Sequence, residues 1–329
     1  MRWALIGASN MAQEWMIEAI RSQGGEIIGL YSGNIEHGRQ FCERNGIPAC
    51  ADTLDNLLPL KPDAVYISST NEKHQAQVEW AAEHGLHVYC EKPLALTLDS
   101  ALAMVDVCEK NGVIMATNHH LRHAALHRKI KQCIDDGIVG QILSVRVMHA
   151  VYLPESLQSW RVKDKAAGGG VILDIAVHNA DLVAFLLGEY PVSVSTHAAS
   201  RKLGVGLEDD SMSIWTMPTG VAVYTHESFV TPFAGTALEV HGSKGSIVAS
   251  NCLTQKPVGE VVLSNESGSK ALTIEHHNLY HAAVSDFCKA VEANTQPACD
   301  GVAGVKSLSV ALSMLQAAEL HQEVEVFYG

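Results

Sequence analysis

The chain has few basic residues and lacks any paired-cysteine motif. Of its 329 residues, 23 are Lys or Arg and 36 are Asp or Glu, which gives a formal charge of −13. Proteins that bind nucleic acids or anionic membranes concentrate positive charge, so this balance argues against such partners. The eight cysteines form no C-x-x-C pair, which favours reduced thiols in the core over a zinc site or a disulfide framework.

Long apolar runs are also missing. No stretch approaches the length needed to cross a bilayer, and residues 1–8 are too short for the apolar part of a secretion signal. We therefore expect a cytoplasmic protein without a membrane span. The length fits two domains of ordinary size, and 47% hydrophobic residues are enough for sizeable cores.

Short apolar runs alternate with amphipathic stretches in the first third of the chain. This alternation is typical of βαβ units, and it predicts an α/β domain with a doubly wound parallel sheet, a Rossmann fold, over residues 1–120. The strands are expected at 3–7, 26–31, 64–68, 87–90 and 113–117, and the helices at 11–21, 35–45, 72–84 and 98–110.

The pattern changes after residue 120 to strands joined by short turns. It predicts an α+β domain over 121–329 with a large, mainly antiparallel open sheet. Because no linker separates the domains, we expect them to pack tightly with a ligand site between them. The strands are expected at 143–151, 192–197, 212–217, 221–228, 237–241 and 246–249, and the helices at 124–135, from 174 onward, at 279–292 and at 305–322.

A turn of small residues follows the first expected strand. Gly7-Ala8-Ser9-Asn10-Met11-Ala12 occupies the G-x-G-x-x-G positions of a dinucleotide-binding turn and keeps the first glycine. A pyrophosphate would lie at the N-terminus of the following helix. An ordinary turn between a strand and a helix, without a ligand, is the alternative.

The second expected strand ends in Tyr31-Ser32-Gly33-Asn34, where an NAD-binding domain carries a carboxylate for the ribose. Without that carboxylate, nothing repels a 2′-phosphate, and the side chains of Ser32, Asn34, His37 and Arg39 could donate hydrogen bonds to it. The sequence therefore favours NADPH, with NADH possible.

Two further motifs carry ionisable groups. Glu91-Lys92-Pro93 follows an apolar strand, at the sheet edge where ligands of parallel sheets bind. A glycine run at 168–170 precedes Asp174 and His178, which an α-helix would place on one face about 6 Å apart along its axis. That spacing suits a paired acid and base, although a charged strand end and a capped helix start would also explain the residues.

With E-K-P and G-G-x-x-x-D-x-x-x-H both intact, the sequence resembles the Gfo/Idh/MocA family of nicotinamide-dependent sugar oxidoreductases. The strings at 117–122, 149–154, 160–161 and 168–178 are similar to a sugar-ketone reductase of that family. The resemblance implies an NADPH-dependent reductase in which Lys92, Asp174 and His178 are catalytic and His178 donates a proton to the substrate. It also suggests that the Lys92–Pro93 peptide is cis.

The resemblance implies two sets of binding residues. The cofactor set is Gly7, Ala8, Ser9, Asn10, Met11, Ser32, Gly33, Asn34, His37, Arg39, Ser69, Thr70, Asn71, His74, Glu91, Lys92, Asn118, Trp160 and Arg161. The substrate set is Lys92, His119, His149, Trp160, Arg161, Asp174 and His178, in which His149, Trp160 and Arg161 supply hydrogen-bond donors and an indole face for a sugar ring. One departure is His37, where the family's reductase has an arginine near the adenosine phosphate.

Two other functions stay open. One is a dehydrogenase of another sugar or a polyol such as inositol, and the other is a non-catalytic NADP-binding regulator, which the catalytic set disfavours because binding needs no proton donor. The expected partner is a small sugar, and the chain is expected to be a monomer or a homodimer.

No metal site is expected, although the 17 histidines invite one. His119, His120, His123 and His127 lie close together in the sequence, but no cysteine or carboxylate completes a ligand set. Residues 276, 277 and 281 are expected to be surface histidines, and Asp209-Asp210 a solvated turn.

Overall fold

A computed structural model describes residues 1–329, and the chain divides into two compact units. The first unit consists of Met1–His119 and Tyr280–Val305, and the second of His120–Leu279 and Lys306–Gly329. The boundary expected at residue 120 lies at this division, but residues 280–305 belong to the first unit and not to a C-terminal domain. The reason is tertiary: Phe287 packs on Trp3 and Tyr89, with ring centroids 5.4 and 5.2 Å away.

The first unit contains a six-stranded parallel sheet in the order β3-β2-β1-β4-β5-β6. This order confirms the predicted doubly wound sheet, and each predicted strand lies within two residues of an observed one. The very short β3 was not predicted. The strands are β1 (Arg2–Ile6), β2 (Glu26–Tyr31), β3 (Cys50–Ala51), β4 (Ala64–Ile67), β5 (His87–Cys90) and β6 (Met115–Thr117).

Four α-helices connect these strands. Asn34 caps the second helix by accepting a hydrogen bond from the backbone N–H of His37 at 3.0 Å, and Thr97 caps the fourth through the N–H of Ser100. A π-helical turn, Ala12–Met16, precedes the first helix, and a 3₁₀ segment, Asp55–Leu60, lies between β3 and β4. The helices are α1 (Ile17–Ser22), α2 (Ile35–Asn45), α3 (His74–Glu83) and α4 (Leu98–Lys110).

The second unit contains a nine-stranded sheet in the order β14-β13-β12-β11-β7-β10-β9-β8-β15. Every neighbouring pair is antiparallel except β7 and β10, so the predicted mainly antiparallel sheet is confirmed. The last three strands were not predicted. The strands are β7 (Ile142–Ala150), β8 (Ser193–Ala199), β9 (Asp210–Thr216), β10 (Ala222–Ser228), β11 (Thr236–Gly242), β12 (Gly245–Ser250), β13 (Glu260–Asn265), β14 (Gly268–Leu272) and β15 (Val324–Glu325).

Alternating burial along the central strands gives this sheet one core face and one exposed face. Val145 and Val147 on β7 are buried, whereas Arg146 between them is exposed and pairs with Glu239 at 3.2 Å. The exposed face carries a pocket of about 480 Å³. Met212, Ile214 and Tyr224 are among the residues that line it.

Four more helices complete the chain. They are α5 (Ala125–Asp135), α6 (Val177–Leu187), α7 (Leu279–Ala293) and α8 (Gly301–Leu320). All but the first residue of α7 belongs to the first unit, and the residues of α8 are divided between the units. By length and composition alone α8 could cross a membrane, contrary to the expectation from apolar runs, but 67% of its apolar window is buried inside the fold. Such burial is typical of a core helix.

Candidate active site

The turn after β1 approaches the backbone that follows β4 closely. Gly7 has φ of +110°, and a Cβ built there would lie 2.7 Å from the backbone nitrogen of Ser69. No side chain fits in that space. Ser9 donates a hydrogen bond to Ser68 Oγ at 2.8 Å and accepts one from the N–H of Ala12 at 3.0 Å, so it fixes the turn and caps the helical segment. The close approach of this turn fits a dinucleotide-binding fold.

The segment after β2 carries the residues expected near the ribose. Ser32 is buried against the start of α2, where a Cβ on Gly38 would lie 2.9 Å from its Cβ. Gly33 has open space around its Cα. The side chains of His37 and Arg39 are exposed on α2. Residues Tyr31–Asn34 include no aspartate or glutamate.

The segment after β4 contains polar groups in two different situations. Asn71 is 5% exposed, and its Nδ2 atom has no hydrogen-bond partner in the protein. A buried amide nitrogen without a partner is costly, so this atom fits a ligand acceptor. Thr70 Oγ1 donates to Glu72, and Ser69 Oγ donates to Gln77 at 2.6 Å.

His74 is fully buried and lies between two segments of the first unit. Its Nδ1 lies 3.2 and 3.1 Å from the carbonyl oxygens of Pro93 and Leu94, and its Nε2 lies 3.2 Å from the carbonyl oxygen of Ser69. Burial lowers its pKa, although these carbonyl contacts raise it in part. A neutral ring has one N–H, so His74 lies between the segment after β4 and the segment after Lys92 and donates a hydrogen bond to only one of them.

Glu91 is anchored inside the first unit. Its carboxylate accepts hydrogen bonds from Tyr66 at 2.7 Å and from Asn118 at 2.6 Å, and Tyr89 donates to Asn118 Oδ1 at 3.2 Å. Burial raises the pKa of Glu91, and the bonds from Tyr66 and Asn118 offset part of that effect. Lys92 follows with a half-buried side chain and a cis Lys92–Pro93 peptide, as the resemblance suggested.

The glycine run of the second unit holds a loop against the helix that carries Asp174. A Cβ on Gly169 would lie 2.7 Å from the carbonyl oxygen of Trp160, and a Cβ on Gly170 would lie 2.8 Å from Glu208 Cδ. The Gly170 N–H also donates to the carbonyl oxygen of Arg161 at 2.8 Å. Glycine is therefore required here for close approach, and the approach places Trp160 and Arg161 near Asp174.

Asp174 lies in a π-helical turn, Ile172–Ala176, which runs directly into α6. The expected spacing of Asp174 and His178 assumed an α-helix, so it does not apply, because a π turn is wider. The carboxylate pairs with Arg161 at 3.3 Å, and the Arg161 guanidinium lies over the Trp160 ring at 4.6 Å. The second unit thus joins three of the expected substrate residues in one cluster.

His178 lies in the first turn of α6 and is 8% exposed. The ring of His120 meets it edge-on, with centroids 4.8 Å apart. The next residue, Asn179, accepts a hydrogen bond from His149 Nδ1 at 2.9 Å and donates one to Glu227 at 2.8 Å. His149 therefore belongs to a polar cluster with Asn179 and Glu227 in the second unit, and His178 of the same unit lies against His120, whereas His119 is buried in the first unit.

Sequence reasoning missed His120 as a neighbour of His178, and Asn179 and Glu227 as neighbours of His149. It also missed the buried ion pair in which Arg122 Nε donates to Asp181 at 2.9 Å. Local patterns contain no signal for these residues, because each is brought into place by a register or a packing contact. The only local hint is that Asn179 directly follows His178.

The histidines considered as metal ligands or surface residues lie outside any metal-binding cluster. His123 and His127 are buried, and burial lowers their pKa values to about 3 and about 4. No group of three His, Cys, Asp or Glu side chains could hold a metal ion, and all eight cysteines are free. His276 and His277 are exposed and His281 is partly exposed.

The expectation of a solvated turn at Asp209-Asp210 is wrong. Asp209 is fully buried and accepts hydrogen bonds from four successive backbone N–H groups, at 201–204, at 2.6 to 2.9 Å. Asp210 is buried as well, and it pairs with His226 at 3.0 Å and Arg201 at 2.5 Å. Two consecutive aspartates predict a surface turn, but the backbone N–H groups of the preceding loop donate hydrogen bonds that make burial possible.

The chain belongs to the Gfo/Idh/MocA oxidoreductase family. Residues 1–119 match the oxidoreductase family with an NAD-binding Rossmann fold, and residues 127–248 match the GFO/IDH/MocA C-terminal domain. The resemblance seen in the E-K-P and glycine motifs is confirmed. The protein is therefore an oxidoreductase whose first unit has an NAD(P)-binding fold.

The chain is similar to individual proteins that are named as sugar oxidoreductases. It is 44% identical to a 1,5-anhydro-D-fructose reductase of Ensifer adhaerens, over 100% of this chain and 99% of the relative. It is 25% identical to a D-xylose 1-dehydrogenase (NADP(+)) of Haloferax volcanii, over 99% and 100%. The crystal structure of an aldose-aldose oxidoreductase from Caulobacter crescentus shares the fold, with a TM-score of 0.91, 22% identity and 99% coverage of both chains.

Proposed function

We propose that this protein is an NADPH-dependent reductase that converts 1,5-anhydro-D-fructose to 1,5-anhydro-D-mannitol. One observation carries the proposal: a chain 44% identical over its whole length to a 1,5-anhydro-D-fructose reductase contains Lys92, Asp174 and His178 within the two motifs of the family. A protein that only bound a nucleotide would have no use for a proton donor. Sugar reduction needs one.

The first unit has the features required to hold the cofactor. Gly7 leaves room for close backbone approach, Ser9 fixes the turn, and Asn71 Nδ2 is a buried donor without a protein partner. We propose that Ala8, Asn10 and Met11 contact the pyrophosphate with them. His37 and Arg39 are proposed to bind the 2′-phosphate with Ser32 and Asn34. When bound, NADPH supplies the hydride that reduces the ketone.

The catalytic residues are proposed to act on the oxygen of the substrate ketone. Reduction leaves negative charge on this oxygen, and His178 donates the proton that completes the secondary alcohol. Lys92 is proposed to stabilise the same developing charge, because a fixed cation favours an alkoxide in a site that excludes water. Arg161 holds Asp174 at 3.3 Å, and this pair is proposed to orient substrate hydroxyl groups. Trp160 offers an apolar ring to the sugar.

The test measures oxidation of NADPH and of NADH by absorbance, with 1,5-anhydro-D-fructose and a panel of ketoses, and identifies the product by NMR. We expect turnover of 1,5-anhydro-D-fructose to the mannitol epimer. His178→Asn should lower kcat by about 10² to 10⁴, the usual contribution of a positioned acid. His197→Asn is the matched control, because His197 is an exposed residue of β8. Its kcat and KM should equal those of the wild type.

Each other result has a defined meaning. Turnover of a different sugar or polyol without turnover of 1,5-anhydro-D-fructose would replace the substrate and favour the dehydrogenase. Nucleotide binding without any turnover, together with unchanged cellular function in His178→Asn, would favour the regulator. Full activity in His178→Asn would refute the proton-donor role.

The cofactor preference has its own test. A double variant, His37→Ala with Arg39→Ala, should lower kcat/KM for NADPH by about tenfold or more, because each charged hydrogen bond to a phosphate contributes over 1 kcal/mol. The value for NADH should change little. An equal loss with both cofactors would exclude a specific role in binding the 2′-phosphate.

We further propose that the protein acts in the cytoplasm as a monomer or homodimer, with a small sugar as its partner. Light scattering on the purified full-length chain gives the oligomeric state. Fractionation of the producing cell gives the compartment.

A further inference from the structure

A row of polar side chains on the core side of the second unit includes His149, Asn179 and Glu227. His149 on β7 and Glu227 on β10 are register partners on the core face of the sheet, where they continue the positions of Val147 and Thr225. Asn179 on α6 joins the two. Its Oδ1 lies 2.9 Å from His149 Nδ1, and its Nδ2 lies 2.8 Å from Glu227 Oε1.

The direction of hydrogen bonding in this row is fixed by its buried end. An ionised carboxylate only accepts hydrogen bonds, so Glu227 requires the amide nitrogen of Asn179 to face it. The amide oxygen then faces His149 and can only accept. Therefore the proton of a neutral His149 must be on Nδ1, and Nε2 carries the lone pair.

The surroundings of Glu227 strengthen this direction. Asn179 and Glu227 are both 0% exposed, so water does not compete for their hydrogen bonds. Ser211 occupies the second carboxylate oxygen at 2.9 Å. Burial raises the pKa of Glu227, and the hydrogen bonds from Asn179 and Ser211 offset part of that effect. If the carboxyl takes up a proton on Oε2, beside Ser211, Oε1 still accepts from Asn179.

We propose that Glu227 and Asn179 are positioning residues that hold His149 in the Nδ1–H tautomer, so that its Nε2 accepts a hydrogen bond from a substrate hydroxyl group. This role reverses the expectation that His149 is a donor. The Nδ1–H tautomer favours substrates with a hydroxyl group that can donate a hydrogen bond to His149 Nε2. The tautomer stands on the geometry alone, and the contact with a hydroxyl rests on the proposed function.

The cost of the arrangement supports a positioning role. A carboxyl group at a fully buried place in a sheet core costs free energy that an apolar side chain would not. The hydrogen bonds to Asn179 and Ser211 reduce the cost, but they serve the core no better than apolar packing would. The Glu227 carboxyl group contributes by fixing the orientation of the Asn179 side-chain amide, so that the amide oxygen faces His149.

The test reads the tautomer directly. Long-range ¹H–¹⁵N correlation spectra of histidine-labelled protein distinguish a protonated from an unprotonated ring nitrogen, and the signal that disappears in His149→Gln identifies the residue. We expect the Nδ1–H pattern in the wild type. Glu227→Gln should keep it, because its amide oxygen can accept from Asn179 while its amide nitrogen donates to Ser211. Glu227→Leu and Asn179→Leu should lose it.

A second measurement links the tautomer to the reaction. In Glu227→Leu, KM for the sugar should rise about three- to tenfold with a smaller change in kcat, as expected for one misdirected hydrogen bond, and Glu227→Gln should restore KM. An Nε2–H pattern in wild-type His149, or an unchanged pattern in both leucine variants, would overturn the proposal. The wild-type spectrum decides this even if a leucine variant fails to fold. Because it needs no substrate, a failure of the proposed reaction would leave it intact.

Discussion

Two buried histidines should make the second unit unstable in mild acid. His123 is 2% and His127 is 0% exposed. Burial lowers the pKa of His123 from 6.5 to about 3, with help from the charges of Arg128 and Arg122. Burial also lowers the pKa of His127 from 6.5 to about 4, against a smaller opposing effect of its bond to the carbonyl oxygen of Leu121.

The sign follows from which state binds the proton. The unfolded chain protonates both rings below about 6.5, whereas the folded chain keeps them neutral down to about 4, so unfolding takes up protons in this window. The stability that the neutral rings contribute is complete above 6.5 and is lost as the pH falls. From pH 7 to pH 5 each ring should cost about 2 kcal/mol of unfolding free energy, and the pair about 4 kcal/mol.

The assay is denaturant unfolding at several pH values, followed by a probe in the second unit. A double variant, His123→Gln with His127→Gln, should be less stable than the wild type at pH 7 because it loses native contacts. The difference should narrow by about 4 kcal/mol at pH 5, since glutamine does not titrate. Ile130→Ala, on the same helix as His127, is the control, and its difference in unfolding free energy from the wild type should be the same at both pH values. A constant difference for the double variant would refute the reasoning.

Three further predictions concern stability. Gly7→Ala should lower the free energy of unfolding by about 2 to 5 kcal/mol, because the added Cβ would meet the backbone after β4. Gly33→Ala is the control and should lower it little, because that position has open space, so equal losses in the two variants would contradict the prediction. Asp209→Ala should cost about 3 kcal/mol or more in thermal or denaturant unfolding, because it leaves backbone N–H groups without their acceptor, and a near-neutral result would contradict the burial of that loop. Burial raises the pKa of Glu91 above 4.5, so the unfolding free energy of the wild type should fall as the pH rises through that raised value, whereas that of Glu91→Gln should not. If the difference in unfolding free energy between the two proteins does not change with pH, the prediction is wrong.

The sequence was a good guide to the fold. Strand and helix patterns place the predicted elements of the first unit within two residues, except α1, which begins at Ile17 after a π-helical turn. The agreement arises because buried parallel strands are apolar runs, and because α2 and α4 have side-chain caps at Asn34 and Thr97. The strands missed were β3, β13, β14 and β15. β3 and β15 have two residues each, and the other two are largely exposed, so none carries a strong hydrophobic pattern.

The candidate site was less predictable, for a physical reason. Motifs identify Lys92 and His178, but Glu227 comes to His149 only through the register of two strands that are distant in sequence. The sequence predicts a surface position for Asp209, because it does not reveal which backbone N–H groups a loop will offer. The unpartnered amide nitrogen of Asn71 could not be predicted either, because only the folded structure shows that no protein acceptor lies near it.

The helices beside both candidate sites begin with a π turn, and this explains why spacing alone misjudged the site. Neither Ala12–Met16 nor Ile172–Ala176 contains glycine or proline, so no residue signals the wider turn. In the second unit, Gly169 and Gly170 admit the Trp160 loop and Glu208 close to the start of the helix. The Glu208 carboxylate accepts from the N–H of Ile172 at 3.2 Å, at the first residue of the π turn. We therefore expect larger side chains at Gly169 or Gly170 to displace the helix start that carries Asp174, and to lower the proposed reductase activity without changing Asp174 or His178 themselves.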